Sequence, residues 1–163
     1  MIRLPRVDLA FDDCKRHLDR TDSYQTAIEP ILTSYVSAVI HAEFEKQVRH
    51  VIATRGAGDG SDHHLVNFTK NAAERLIRSI KISELKRISA TFHADCKNRF
   101  TDALDNEWQA AWDSIIQNRH GVAHSNDDVN SSSISNLTFS ELRRIYPLAV
   151  KVLEALEDAV TRW

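Results

Sequence analysis

Apolar residues recur at intervals of three and four along most of this chain, the spacing of one buried face on an α-helix. A short helix is expected from Val7 to Asp19, marked weakly by Leu9, Cys14 and Leu18. A longer one begins near Pro30, a residue tolerated in a first helical turn, and carries Leu32, Val36, Ile40, Phe44, Val48 and Val51. It should end at Arg55-Gly56-Ala57-Gly58-Asp59-Gly60, a glycine-rich turn. Ser61 or Asp62 then caps a third helix with the stripe Leu65, Phe68, Ala72, Leu76 and Ile80. Ser83 caps a segment bearing Leu85, Ile88 and Phe92, and a further stripe follows at Phe100, Leu104, Trp108, Trp112 and Ile115.

After the polar run Ser125–Ser133, read as a surface loop, Thr138 and Glu141 form a capping box. The last helix carries Leu142, Ile145, Ala149, Val152, Leu156, Ala159 and Trp163, interrupted at most locally at Pro147. No repeat and no linker divides the chain, and strand-like runs of Val, Ile and Thr are absent. The pattern predicts an all-α fold, a single helical bundle of about five to six helices. Residues 1–163 form one domain in this reading, with residues 1–22 a more peripheral N-terminal segment.

Composition changes this picture little. Three prolines and four glycines suit long helices, and 163 residues suit one core. A formal net charge of -2 gives no global reason to coat nucleic acid, although a local basic site is compatible with it. Cys14 and Cys96 cannot define a disulfide framework, and Met1–Arg6 lacks the apolar core of a signal peptide. No stretch has the apolar length to span a bilayer, so no membrane partner and a cytoplasmic location are expected.

The candidate chemistry lies where the Trp-marked stripe runs on. Four residues past Ile115 stands Arg119, opening Arg119-His120-Gly121-Val122-Ala123-His124, with Asn118 before it. A charge on an apolar stripe requires a partner, a ligand or an interface. Five helical residues advance only about 7.5 Å, so Arg119 and His124 stay close in any local conformation. Arginine offers a permanent forked donor for phosphate, and histidine exchanges protons near neutrality. Gly121 would loosen the helix and let both side chains turn to one pocket. The plainer reading is a basic helix C-terminus meeting the macrodipole.

Arginine, a polar residue, three more residues and a histidine resemble the signature of the HEPN superfamily, small and mostly helical bundles. His41-Ala42-Glu43-Phe44-Glu45 is similar to the aromatic-Glu segment of the RiboL-PSP-type branch, so the resemblance runs from about Pro30 to the C-terminus. It implies a HEPN-like fold and a metal-independent endoribonuclease without cofactors, often in toxin–antitoxin or phage-defence systems. It also implies a homodimer in which two motifs face one cleft, with RNA as substrate and an antitoxin or defence-system subunit as companion. Arg119 and His124 would then be the catalytic pair. His120, Asn118 and Glu45 would position substrate or support His124. Phe44 belongs to the core in this reading, and Glu43 either supports a catalytic imidazole or Arg119, as Glu45 would, or lies on a solvated helix face. Two rivals remain: a HEPN-like module that binds nucleotide, RNA or protein without cutting, and a purely structural helical adaptor.

Other motifs lead nowhere. The glycine-rich turn lacks the strand before it and the Gly-Lys-Ser/Thr after it that a phosphate loop needs. His93 and Cys96 have metal-ligand spacing, and His63-His64 is a neighbouring pair, but no second Cys or His pair completes a zinc site. Asp127-Asp128 lacks the other positions of a calcium loop. Lys70, Arg75, Arg78, Lys81, Lys86 and Arg87 make a locally basic stretch that could contact an RNA backbone, although a solvated face is the usual explanation of such charge.

Overall fold

The computed structural model describes residues 2–56, 62–77, 79–123 and 137–161, without side chains at 56, 73, 74, 76 and 119–123. Among the described residues there are seven helices and no strand. They are α1 (Pro5–Thr21), α2 (Ile28–Gly56), α3 (His63–Leu76), α4 (Ile82–Phe92), α5 (Ala94–Ala103), α6 (Asn106–Ala123) and α7 (Phe139–Thr161). The all-α bundle expected from the pattern is what forms, with one or two helices more than expected.

The extra helix comes from a break in the Trp-marked stripe. Phe100 and Leu104 keep phase with Trp108 and Trp112, yet α5 stops at Ala103 and α6 starts at Asn106. Leu104 is extended (φ -76°, ψ 116°), and the Asp105 carboxylate accepts the Glu107 amide at 2.7 Å, an N-cap that restarts the helix. Ser83 is not a cap: α4 begins one residue earlier, at Ile82, with Lys81 in the cap position and no side-chain cap bond. Asp62 does cap α3, accepting the His64 amide at 3.1 Å. The α3 stripe differs from expectation, because Leu65 and Phe68 are 53% and 70% exposed. The capping box at α7 forms in both directions: Glu141 accepts the Thr138 amide at 2.9 Å, and Thr138 Oγ1 accepts the Glu141 amide at 3.2 Å. α7 continues through Pro147 to Thr161.

α1, α2, α6 and α7 enclose the core, with α3 packed on α2 and α4–α5 on α7. Val7, Ala10, Phe11, Cys14 and Leu18 of α1 belong to that core. Its centre is aromatic. Trp112 stacks on Phe44 at 4.6 Å and 5°, and Phe44 in turn lies 6.3 Å from Tyr146. The buried indole N–H of Trp112 donates to the Ile80 carbonyl at 2.8 Å, which ties the α3–α4 connection to α6. Residue pairing fixes the directions: Phe44 meets Trp112 while Ser37 meets Asn118, so α2 and α6 are antiparallel. The C-terminal turn of α6 therefore runs toward the start of α2.

Candidate functional site

Two rows on α2, each at four-residue spacing, lie side by side. Val36, Ile40, Phe44 and Val48 form the apolar row, all fully buried. The second row, Glu29, Thr33, Ser37 and His41, is polar and also buried, at 7%, 0%, 1% and 5% exposure. Buried polar groups need partners, and these have them. Glu29 accepts the Gln25 amide at 2.7 Å and the Phe139 amide at 3.0 Å, so it caps the start of α7 from another helix. Thr33 donates to the Glu29 carbonyl at 2.8 Å. Ser37 accepts from the Asn118 side-chain amide at 3.0 Å.

That last bond positions the motif. Asn118 is half-buried and anchors the last turn of α6 on α2. Arg119 and His120 follow in helical backbone, with Arg119 one turn beyond buried Ile115 and two beyond buried Trp112. Their side chains, and His124 altogether, lie outside the described residues.

Glu45 sits elsewhere on α2. It is two turns past Ser37, at the level of the Phe44–Trp112 stack and about 12 Å along the axis from the Asn118 contact. Its carboxylate approaches His41 Nδ1 at 3.7 Å and the Arg49 guanidinium at 3.8 Å. Glu43, for which a solvated face was one of two readings, is buried at 7% and accepts from Arg6 at 3.0 Å, joining α1 to α2. Ser37 and Glu29 escaped the sequence reading. Their signal was the strict four-residue repeat of polar residues beside the apolar row.

His93 has a local role: its Nδ1 accepts the Asp95 amide at 3.2 Å, capping α5. Cys96 one turn on is fully buried. Among the described residues, no group of three or more His, Cys, Asp or Glu could hold a metal ion. No described helix is long and apolar enough to cross a membrane.

A family model described as RiboL-PSP-HEPN matches residues 9–162. The chain belongs to the RiboL-PSP-HEPN family. The match begins inside α1 rather than near Pro30, so the HEPN unit takes in the N-terminal helix as well as the motif and the capped last helix. No curated protein and no solved structure matches the chain.

Proposed function

We propose that this HEPN-family chain is a metal-independent endoribonuclease with Arg119 and His124 as its catalytic pair. The observation that carries the reading is the anchoring of the motif. Asn118 bonds to a buried serine of α2, so the turn bearing Arg119 and His120 is held to the buried polar row of that helix. Fixed supports of this kind are what catalytic side chains need. In this mechanism the ribose 2′-oxygen attacks the adjacent phosphorus and the bond to the 5′-oxygen breaks. A histidine takes the 2′-OH proton and a histidine returns a proton to the departing oxygen. Arg119 neutralises the phosphoryl charge that develops. His120 steadies RNA. The role of Asn118 becomes positioning rather than substrate contact, and the distance of Glu45 along α2 makes it a support for His41 and Arg49.

A homodimer with two motifs on one cleft fits a feature of α2. Ile28, Ile31, Tyr35, Ala38 and Ala42 are all exposed and alternate spacings of three and four, the seam by which helices pair. The seam occupies the half of α2 toward which the motif end of α6 runs. A second copy is the occupant we assign to it. An antitoxin or a defence-system subunit would be the natural companion of such an enzyme in the cytoplasm.

Purified protein should cleave RNA in EDTA and leave 2′,3′-cyclic phosphate ends. RNA carrying 2′-deoxyribose at the scissile nucleotide should resist. His124→Ala should keep the dimer and lose cleavage by about a hundredfold or more. Undiminished cleavage by both Arg119→Ala and His124→Ala would sink the mechanism. RNA binding that depends on Arg119 without any cut product would turn the reading to a non-cleaving HEPN module.

A further inference from the structure

A cavity of about 410 Å³ opens between the start of α4 and the outer side of α6, lined by Lys81, Ile82, Ser83, Asp113, Ile116 and Gln117. That volume lies within the usual range of small-ligand sites. Ile82 and Ile116, both buried, give it apolar walls. The ammonium of Lys81, the hydroxyl of Ser83, the carboxylate of Asp113 and the amide of Gln117 supply the polar groups. Among the described residues, none of these four side chains has a hydrogen-bond or ion-pair partner. Burial pushes the Asp113 carboxyl above its ordinary value. An acid held in a cleft at such a cost is a recurrent mark of a ligand site.

The cavity belongs to the side of α6 that leads to the motif. Asp113 and Gln117 lie one turn apart on one side of α6, and His120 follows three residues on in the same helical backbone. Gln117 is only about 4.5 Å along the axis from His120. A nucleotide whose phosphate lies at the motif has its neighbouring base within reach of this cleft.

We propose that the α4–α6 cleft is a guanine pocket, taking the base of an RNA nucleotide that flanks the scissile phosphate; this rests on the ribonuclease reading above. The carboxylate of Asp113 only accepts hydrogen bonds when ionised. Guanine alone among the four RNA bases presents two adjacent donors, its ring N1–H and its exocyclic amine, which a carboxylate accepts in parallel. Gln117 and Lys81 provide donors for the carbonyl and the bare ring nitrogen of the same base. Adenine and cytosine each set an unprotonated ring nitrogen beside their amine, and uracil flanks its N–H with two carbonyls, so each meets Asp113 with repulsion. Discrimination thus comes from unfavourable contacts with the wrong base as much as from favourable ones with guanine. Ile82 and Ile116 offer apolar contact to the ring faces.

The test uses the full chain carrying His124→Ala, so that RNA survives binding, and short adenosine oligoribonucleotides with one central guanosine, one central inosine or neither. Fluorescence anisotropy should show the guanosine oligomer binding about tenfold or more tighter than the all-adenosine one. Inosine, which lacks the exocyclic amine, should lose most of that gain. Adding Asp113→Asn or Gln117→Ala should level the three. Equal binding of all three oligomers, or a guanosine preference unchanged by both variants, overturns the pocket. Cut sites mapped on a random-sequence RNA pool separate this result from the parent reading. Guanine-dependent binding without any cleavage keeps the pocket and removes the nuclease, whereas cleavage indifferent to base keeps the nuclease and removes the pocket.

Discussion

Glu29 and Asp113 are both carboxylates drawn partly out of water by a bundle helix, and the fold treats them in opposite ways. Glu29, 7% exposed, receives two backbone amides and closes the junction of α2 with α7. Its neighbours on the same row are bonded too, Thr33 to a carbonyl and Ser37 to Asn118. Among the described residues Asp113 has no such donor, and its carboxyl is raised by burial. Both sit within one small fold, so the difference is not one of residue type or overall polarity. A saturated polar group marks architecture, because removing it strands its partners. An unsaturated one in a cleft marks a place where something else supplies the bond. The contrast can be broken by measurement.

The largest effect should come from the core-packed side of α6. Trp112→Ala removes a fully buried ring stacked on Phe44 and leaves the Ile80 carbonyl without its donor. A loss of about 3–5 kcal/mol of folding stability is expected from urea denaturation. Asp113→Ala, one residue along, should lose almost nothing. Comparable losses at the two positions would mean that the cleft is structural after all.

Next in size is Glu29→Ala, which strands the amides of Gln25 and Phe139 at a buried helix start. About 2–4 kcal/mol should be lost. Glu29→Gln, which keeps one oxygen acceptor but adds donors, should lose less. A stability unchanged by Glu29→Ala would show that water replaces the carboxylate freely and that Glu29 is no more architectural than Asp113.

How much of this was legible beforehand follows from the range of the interactions. Thr138 and Glu141 lie three residues apart, so the capping box and α7 could be read directly. The apolar row Val36–Val48 was equally plain. The row beside it was not, because a polar residue reads as solvated until its partner is known. Ser37 finds Asn118 81 residues away, and Glu29 finds Phe139 110 residues away. The break at Leu104–Asp105 was hidden because the apolar spacing keeps phase across it, while the only signal was a single cap residue. Leu65 and Phe68 show the reverse failure: an amphipathic stripe predicts a face, not what covers it. The motif at Arg119–His124 was visible from spacing and family likeness. The Asn118 anchor and the cleft beside Gln117 needed the fold.

A smaller change probes the anchor itself. Ser37→Ala removes the acceptor of the Asn118 amide at a site 1% exposed. Thermal or urea unfolding should register a loss of about 1 kcal/mol. Because the bond holds the turn that carries Arg119, cleavage should fall by more than this stability change alone accounts for, with kcat rather than KM affected. A fall confined to stability, with kcat intact, would reduce Asn118 to a packing residue.

The smallest effect is also the one with opposite sign. Asp113→Asn replaces a carboxylate that burial disfavours with a neutral group of the same shape, so it should stabilise the fold slightly at neutral pH. The direction with pH follows from proton binding. A carboxyl raised in the folded state binds protons more tightly there than in the unfolded chain, so the folded state loses stability as pH rises through that window. The penalty is fully present above the raised value and absent once pH falls below the ordinary carboxylate range. The Asn variant lacks it at every pH. The melting temperatures of the two proteins should therefore differ at neutral pH and converge in acid, with the variant never the less stable. At Glu29 the same exchange costs stability at neutral pH, so opposite signs at the two carboxylates are the sharpest form of the contrast. A destabilising Asp113→Asn would mean that the carboxylate already has a structural partner and that the cleft holds nothing in reserve.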